Sequence, residues 1–255
     1  MFMRLVQVRI KPESQPDFQR LYEDVIMAKL QITPGCLYAG LVRSIRRADE
    51  GMSLTIWDTR QHADAYEKSG VFQMMIEKSK PFFSDASEWR VQLTKDLQLE
   101  YAPVAQEPVV KSYAHATEAG TGPTVPWHAS FLYVRIVSML VQPEKIAEFK
   151  SIYENDVLPL LRSVPGCLYV YLVENVERKD EWLSVSIWNS KEDADHYEQS
   201  GAFDKLKAKL ESTFSPLYQW KVGLDKELGK QAVTSEDVAV SGYSVVVGRS
   251  FKQSG

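Results

Sequence analysis

Pro34-Gly35-Cys36-Leu37-Tyr38 returns downstream as Pro165-Gly166-Cys167-Leu168-Tyr169, a shift of 131 residues. The same shift carries Phe18 onto Phe149, Tyr22 onto Tyr153, Trp57 onto Trp188, Tyr66 onto Tyr197, Phe72 onto Phe203 and Trp89 onto Trp220. No gap is needed between Met3 and Leu93, and Ala63-Asp64, Tyr66-Glu67, Ser69-Gly70 and Phe72 match as a block. Chance does not produce such a register. A period this long is a repeated domain rather than a solenoid unit of about 20–50 residues.

Working outward from the Pro-Gly turn, each copy reads as strand, helix, two strands, helix, strand. In the first strand Val6, Val8 and Ile10 alternate with Met3 and Leu5, so both of its faces are expected to be buried. Pro12-Glu13 and Pro143-Glu144 open a helix with an apolar stripe at Phe18, Leu21 and Tyr22 in one copy and Phe149, Ile152 and Tyr153 in the other. Pro34-Gly35 and Pro165-Gly166 stop it. Pro159 falls inside the second copy's helix and is expected to kink it. A hairpin follows, with strands near Cys36 to Ser44 and Met52 to Trp57 around the charged turn at Arg46 to Gly51. Asp58-Thr59 and Asn189-Ser190 are cap residues for a second helix, and Trp89 to Leu93 alternates as a closing fourth strand. These boundaries divide the chain into a first domain at 1–93, a linker at 94–129, a second domain at 130–224 and a tail at 225–255. Glu107 to Tyr113 has a loose counterpart in Glu236 to Tyr243, so each tail is expected to add a strand near the opposite copy's sheet. Two sheets apolar on both faces should pair with each other, and a cut near Gly122 should leave the halves associated.

Composition excludes several classes. The 255 residues are 44% hydrophobic and 25% charged, ordinary for a folded chain. Thirty Lys and Arg against 34 Asp and Glu give a net charge of −4, with the signs interspersed, so no basic face for nucleic acid is visible. No apolar run approaches the roughly 20 residues of a membrane span, and the start lacks the pattern of a secretory signal. The expected location is the cytoplasm. Two cysteines and four histidines without a cluster supply neither a disulfide framework nor a metal ligand set, and no phosphate-binding glycine motif occurs. Neither metal nor nucleotide cofactor is expected.

Pro34-Gly35-Cys36, the strand ending in Ile56-Trp57 and the run Ala63-x-x-Tyr66-x-x-Ser69-Gly70-x-Phe72, all repeated, resemble the antibiotic biosynthesis monooxygenase domain of the dimeric α/β-barrel superfamily. The resemblance implies an α+β fold: two tandem ferredoxin-like βαββαβ domains packed as a pseudo-dimeric barrel. It also implies oxygen-dependent oxidation of quinols and polyketide-like aromatics, often without metal or flavin, or breakdown of haem in one branch. The chain departs from relatives that carry a histidine nine positions after the tryptophan, since Tyr66 and Tyr197 stand there. Val71 and Ala202 replace another histidine, and the positions of the haem ligand hold Ile76 and Lys207.

The residues themselves suggest a pocket between sheet and helices. By period two, Ser53 and Thr55 share the face of Trp57, and Ser184 and Ser186 that of Trp188. Indoles could stack on a flat ligand while hydroxyls fix its oxygens; the alternative is that both are core tryptophans with a satisfied N–H. Tyr66 and Tyr197 could handle a proton if their pKa were lowered, or could be packing aromatics. Tyr22, Tyr153, Tyr38 and Tyr169 carry the same ambiguity. His62, His196, His115 and His128 occupy unmatched positions, and Cys36 and Cys167 read as small buried residues. Gly40 faces Tyr171 in the repeat and Gly51 faces Trp182, so the larger cavity, and the stronger dependence on its tryptophan, is expected in the first copy.

The expectation is therefore a monooxygenase acting on a small planar aromatic or quinol-type molecule with O2 and no cofactor. Tyr66 and Tyr197 would be catalytic, and Trp57, Trp188, Ser53, Thr55, Ser184, Ser186 and Gly40 would bind substrate. The competing class is a small-molecule binding or stress-associated protein of the same fold without turnover; haem degradation ranks third. The two domains are expected to pair with each other, and further self-association is left open by the sequence.

Overall fold

Both faces of the first strand are apolar because both are covered. In the computed structural model, which describes residues 1–93, 99–105, 109–120, 132–215 and 238–251, β1 (Phe2–Arg9) sends Met3 and Leu5 inward and Phe2, Val6 and Val8 outward under helices. It pairs antiparallel with β3 (Glu50–Trp57), which pairs with β2 (Cys36–Ser44). The second copy repeats this with β7 (Tyr133–Leu140), β9 (Glu181–Trp188) and β8 (Cys167–Asn175).

Tail strands join the halves. β6 (Val109–Gly120) runs beside β1 of its own copy and β8 of the other, and β10 (Val238–Ser250) lies between β7 and β2. Eight strands thus close into one barrel in the order β1-β3-β2-β10-β7-β9-β8-β6. Each half contributes tail, first, third and second strands, and the strands of one half pair with those of the other only through a tail. An eight-stranded barrel is just wide enough for its own side chains to fill. Here Leu5, Tyr38, Leu54 and Ile56 meet Ile136, Tyr171, Val185 and Ile187 in a single apolar lumen. At roughly 1.5–3 kcal/mol per large apolar side chain, this shared core holds the copies together.

Two sequence expectations need correction here. The stretch expected as the fourth strand, β4 (Asp85–Leu93), pairs only with β5 (Leu99–Ala105), in a two-stranded ribbon outside the barrel. The chain makes a single bridge just past the end of β1, Ile10 to Phe83, and then leaves, because the tail strand occupies that edge of β1 along six residue pairs. Val141 and Phe214 make the same bridge in the second copy; Trp220 lies outside the described residues. Gly40 likewise does not line the cavity between sheet and helices. On β2 its neighbours Ala39 and Leu41 point to the helices and Tyr38 and Val42 to the lumen, so Gly40 belongs to the lumen. A Cβ there would sit 2.1 Å from the Tyr38 hydroxyl oxygen: the missing side chain makes room for a tyrosine, and Tyr171 fills the same level of the other half.

Helices cover each half's outer face. The long one occupies residues 12–31, regular over Gln15–Leu21 and Ala28–Gln31 with a π-helical turn at Tyr22–Met27 between them. Its counterpart has Ile146–Ile152, a π turn at Tyr153–Val157 and Leu158–Ser163. The irregularity occurs with and without a proline, so Pro159 does not cause it. Pro159 sits instead in the first turn of the segment that restarts after the π turn, where a missing N–H is tolerated. The outer face is completed by Arg60–Lys68 and Val71–Ser79, and by Lys191–Gln199 and Ala202–Leu210. Thr59 and Ser190 cap the first helix of each pair by accepting from the His62 and Asp193 backbone N–H. No described helix is long and apolar enough to cross a membrane.

Candidate functional site

Between sheet and helices each half holds a cavity open to solvent; its empty space, mouth included, is about 550 Å³ in the first copy and about 450 Å³ in the second. The walls are apolar, with Phe18, Ile26 and Phe72 in the first and Val157, Phe203 and Phe214 in the second. The polar groups are few: strand hydroxyls and an arginine from the sheet, and tyrosines from the helices. Ser53 and Thr55 line the first cavity with Tyr22 and Tyr66, and Ser184 and Ser186 line the second with Tyr153 and Tyr197.

The hydroxyls are wired alike in both copies. Tyr22 Oη lies 2.8 Å from Ser53 Oγ, and Tyr153 Oη 2.6 Å from Ser184 Oγ. One hydrogen bond uses one of the two O–H groups of such a pair, which leaves the other able to donate to a ligand. Thr55 Oγ1 accepts from the Trp57 indole at 3.0 Å and reaches the Arg4 carbonyl at 3.4 Å; Ser186 Oγ does the same for Trp188 and Arg135 at 2.9 and 3.4 Å. These two hydroxyls anchor the tryptophans, and their capacity for a ligand is reduced to a lone pair.

The tryptophans do not line either cavity. Trp57 and Trp188 are 0% exposed, with their N–H groups satisfied, and each stands behind a tyrosine: ring centroids are 5.3 Å apart for Trp57 with Tyr66 and for Trp188 with Tyr197. The stacking role expected of the indoles therefore has no surface to act on, because the helix that carries Tyr66 covers Trp57 completely. The exposed faces of the site belong to Tyr66 and Tyr197, braced edge-on by Phe72 and Phe203 at 6.1 and 6.4 Å.

Neither tyrosine is tuned as a base. Burial pushes the Tyr66 phenol well above its ordinary 10.0, with the Arg4 guanidinium opposing this only in part, and Tyr197 is pushed up to about 12 by burial against the same opposition from Arg135. A phenol that stays protonated is a hydrogen-bond donor. Tyr66 Oη has no hydrogen-bond partner among the described residues, which leaves it available to a ligand oxygen. Tyr38 is in the lumen, and Tyr169 packs against its edge, stacked on Tyr171. His62 bonds Asp58 at 2.7 Å outside the cavity, His196 is exposed, and His128 lies outside the described residues. Cys36 and Cys167 are buried thiols, both raised to about 12 by burial. Ile76 and Lys207, at the positions compared with a haem ligand, do line the cavities, and no imidazole joins them.

Arg4 and Arg135 are the residues that sequence reasoning missed. Both are 3% exposed and line their cavities from the first strand of each half. Arg4 donates to Glu67 Oε2 at 2.6 Å and to the Ala63 carbonyl at 3.3 Å; Arg135 donates from Nε to Glu198 Oε1 at 2.7 Å. In each guanidinium one buried nitrogen, Arg4 Nε and Arg135 Nη2, has no partner among the described residues. The signal was available: an arginine in the outward row Phe2, Arg4, Val6, Val8, repeated at the same shift with its glutamate, is a charge in a helix-covered face.

The sequence model of the antibiotic biosynthesis monooxygenase family matches residues 1–78 and again 132–209. No curated protein sequence matches the chain. Among solved structures, a candidate monooxygenase from Lactobacillus acidophilus NCFM superposes with a TM-score of 0.64 at 9% identity, over 98% of this chain and 95% of that one. Another from Fusobacterium nucleatum subsp. nucleatum ATCC 25586 gives 0.66 at 10% identity, over 98% and 94%. An anthrone oxidase-like protein gives 0.60 at 11%, over 99% and 94%. At these identities the likeness is one of fold, extending over both halves and their tails.

Proposed function

The chain belongs to the antibiotic biosynthesis monooxygenase family, and from that premise we propose that it oxidises a small, planar, electron-rich aromatic or quinol-type molecule with O2, no metal or organic cofactor taking part. One observation carries the reading: each half has a largely apolar cavity lined by the same small set of polar groups, a bonded tyrosine–serine pair, a second tyrosine and a buried arginine, the form expected of a site that orients a flat ligand through a few polar contacts. Such a substrate is its own reductant. Once ionised, it passes one electron to O2; the radical pair joins as a carbon-bound peroxide, and protonation with loss of water leaves a carbonyl on that carbon, the CH2 of an anthrone or the ring CH ortho to a quinol hydroxyl, one O2 giving one carbonyl oxygen and one water.

Tyr66 and Tyr197 act here as donors to the oxygen on which charge develops, and the neighbouring guanidinium favours the ionised form. Ser53 and Ser184, through their tyrosine partners, offer the second donor. Thr55 and Ser186 hold Trp57 and Trp188, which keep the tyrosine rings in place. The apolar walls exclude water from the intermediate. Oxygen uptake measured with hydroquinones, anthrones and haem tests this: uptake with one of the first two, reduced in the Tyr66→Phe and Tyr197→Phe variants, is expected. Uptake with haem alone would overturn it.

Binding without turnover is the second reading, and a specific feature favours it. No carboxylate or imidazole lines either cavity among the described residues, so the substrate's proton must leave to water. Saturable binding of the same compounds with no oxygen consumed would select this reading.

A further inference from the structure

The cavities differ most in charge. Arg4 and Arg135 are common to both, but Ile76 in the first is Lys207 in the second. Arg135 lies 4.3 Å from the centroid of the Phe203 ring, and the Lys207 ammonium is 5.8 Å from the same centroid. Two cations thus converge on one cavity-lining ring, whereas in the first copy Arg4 alone approaches Phe72, at 5.9 Å. Like charges held around an apolar ring repel one another, and a buried cation with an open N–H costs stability. Their existing partners do not cancel them. Glu198 takes only the Arg135 Nε, leaving Nη2 open, and Asp204, 3.5 Å from Lys207 but 73% exposed, forms a solvated ion pair that is readily exchanged.

We propose that the second copy's cavity is a site for a small aromatic carboxylate, held by Arg135 and Lys207 with its ring against Phe203, and that the first copy's cavity prefers neutral aromatics. This rests on the cavities being ligand sites and not on oxidation of what they hold. A carboxylate has two oxygens: one accepts from Arg135 Nη2, and the other meets the Lys207 ammonium, which moves off Asp204 at little cost. The hydrogen-bonded charge pair supplies the discrimination over a neutral amide of the same shape. The second cavity is also the tighter, with Met139 and Leu210 where the first has Val8 and Ser79, which suits a single ring.

The test is the affinity of the full-length protein for para-bromobenzoate and para-bromobenzamide, together with a crystal structure of the bromobenzoate complex, in which bromine marks the site. Benzoate should bind about 10- to 100-fold more tightly than benzamide, with bromine in the second cavity. Lys207→Ile, at a half-exposed position where the first copy carries isoleucine, should fold normally and remove most of the preference for benzoate while changing benzamide affinity less than about twofold. Ile76→Lys should create a second benzoate site. Equal affinities for the two compounds, bromine in the first cavity, or an unchanged preference in Lys207→Ile would each overturn the proposal. Binding of benzamide alone rejects the charge argument and keeps the cavities as ligand sites; binding of neither rejects both. Absence of oxygen uptake with binding intact rejects only the oxidation.

Discussion

The two halves share their wiring and differ in what they wire. In both, a strand hydroxyl holds a buried indole, the indole backs a tyrosine, a second hydroxyl bonds the tyrosine that opens a π turn, and an arginine from the first strand lines the cavity. The substitutions include two on the helix side, where Ile76 becomes Lys207 and Ser79 becomes Leu210, and one on the first strand, where Val8 becomes Met139. A duplicated scaffold can keep the groups that shape a cavity and still separate the groups that choose its contents. The sequence repeat alone could not distinguish these, since duplication preserves both kinds of residue at first.

The largest effects should come from the shared wiring, where the halves must behave alike. Trp57→Ala and Trp188→Ala each remove a fully buried indole and should lower unfolding stability by about 3–5 kcal/mol in chemical denaturation, by similar amounts. The sequence favoured a greater loss of binding from Trp57→Ala. Because neither indole reaches a cavity, the expected loss is one of fold and is symmetric; selective loss of ligand from one variant at full stability would break the equivalence. Trp182→Ala sharpens the comparison, since Trp182 is 0% exposed against Phe149 where the first copy has Gly51. It should cost as much as the other two, while Gly51→Ala, whose Cβ would stand 3.1 Å from the Ile10 Cδ1, should cost far less.

Next in size is the response to alkali. Cys36 and Cys167 are raised from 9.0 to about 12 and Tyr197 from 10.0 to about 12, in each case chiefly by burial. A folded-state pKa above the unfolded one gives stability that is complete below the unfolded value and is lost as pH rises through the folded value. Denaturation midpoints should therefore be unaffected by these groups up to about pH 9 and fall between 9 and 12. Thiol reagents at pH 8 should label neither cysteine in the native protein. Rapid labelling of one alone would show that its half opens separately.

Smaller still are the tyrosine donors. Tyr66→Phe and Tyr197→Phe each delete one O–H without disturbing the ring stack and should weaken ligand binding by about 0.5–1.5 kcal/mol, seen by titration of the neutral and the acidic ligand in turn. Equal effects on both ligands from one variant would mean that the two cavities do not divide them.

Much of this was legible in the sequence. Period-two alternation on β1, the repeat of Pro-Gly-Cys and the hydroxyls two and four residues before each tryptophan gave the strands, the halves and the cavity floor, because these are local patterns with a fixed geometry. What escaped depends on partners distant in the chain. That β4 leaves the sheet is decided by competition with β6 for one edge of β1, which no local pattern records. That Gly40 serves Tyr38, and that Trp57 is sealed behind Tyr66, depends on which face a neighbouring helix or the barrel covers. Arg4 was passed over because its strand was read from the apolar residues alone, and its partner Glu67 lies 63 residues further along the chain, where only the fold brings the two together.

The smallest expected effect concerns Pro159. A proline inside a regular helix costs about 3 kcal/mol or more, through a lost hydrogen bond and a clash with the preceding turn. Here the preceding turn is already a π turn, so the usual i to i−4 bond is absent from the local pattern whichever residue follows. The first copy shows what the proline replaces: Ala28, whose N–H bonds only the Val25 carbonyl three residues back. Pro159→Ala regains a donor with a weak acceptor and loses the proline's restriction of the unfolded chain, about 0.4–1 kcal/mol. The net change should be within about 1 kcal/mol, and Ala28→Pro should be tolerated to the same extent. Thermal unfolding of the reciprocal pair measures this directly. A loss near 3 kcal/mol from Ala28→Pro would mean that the first copy's helix depends on a bond its counterpart lacks, and that the two π turns are alike in shape only.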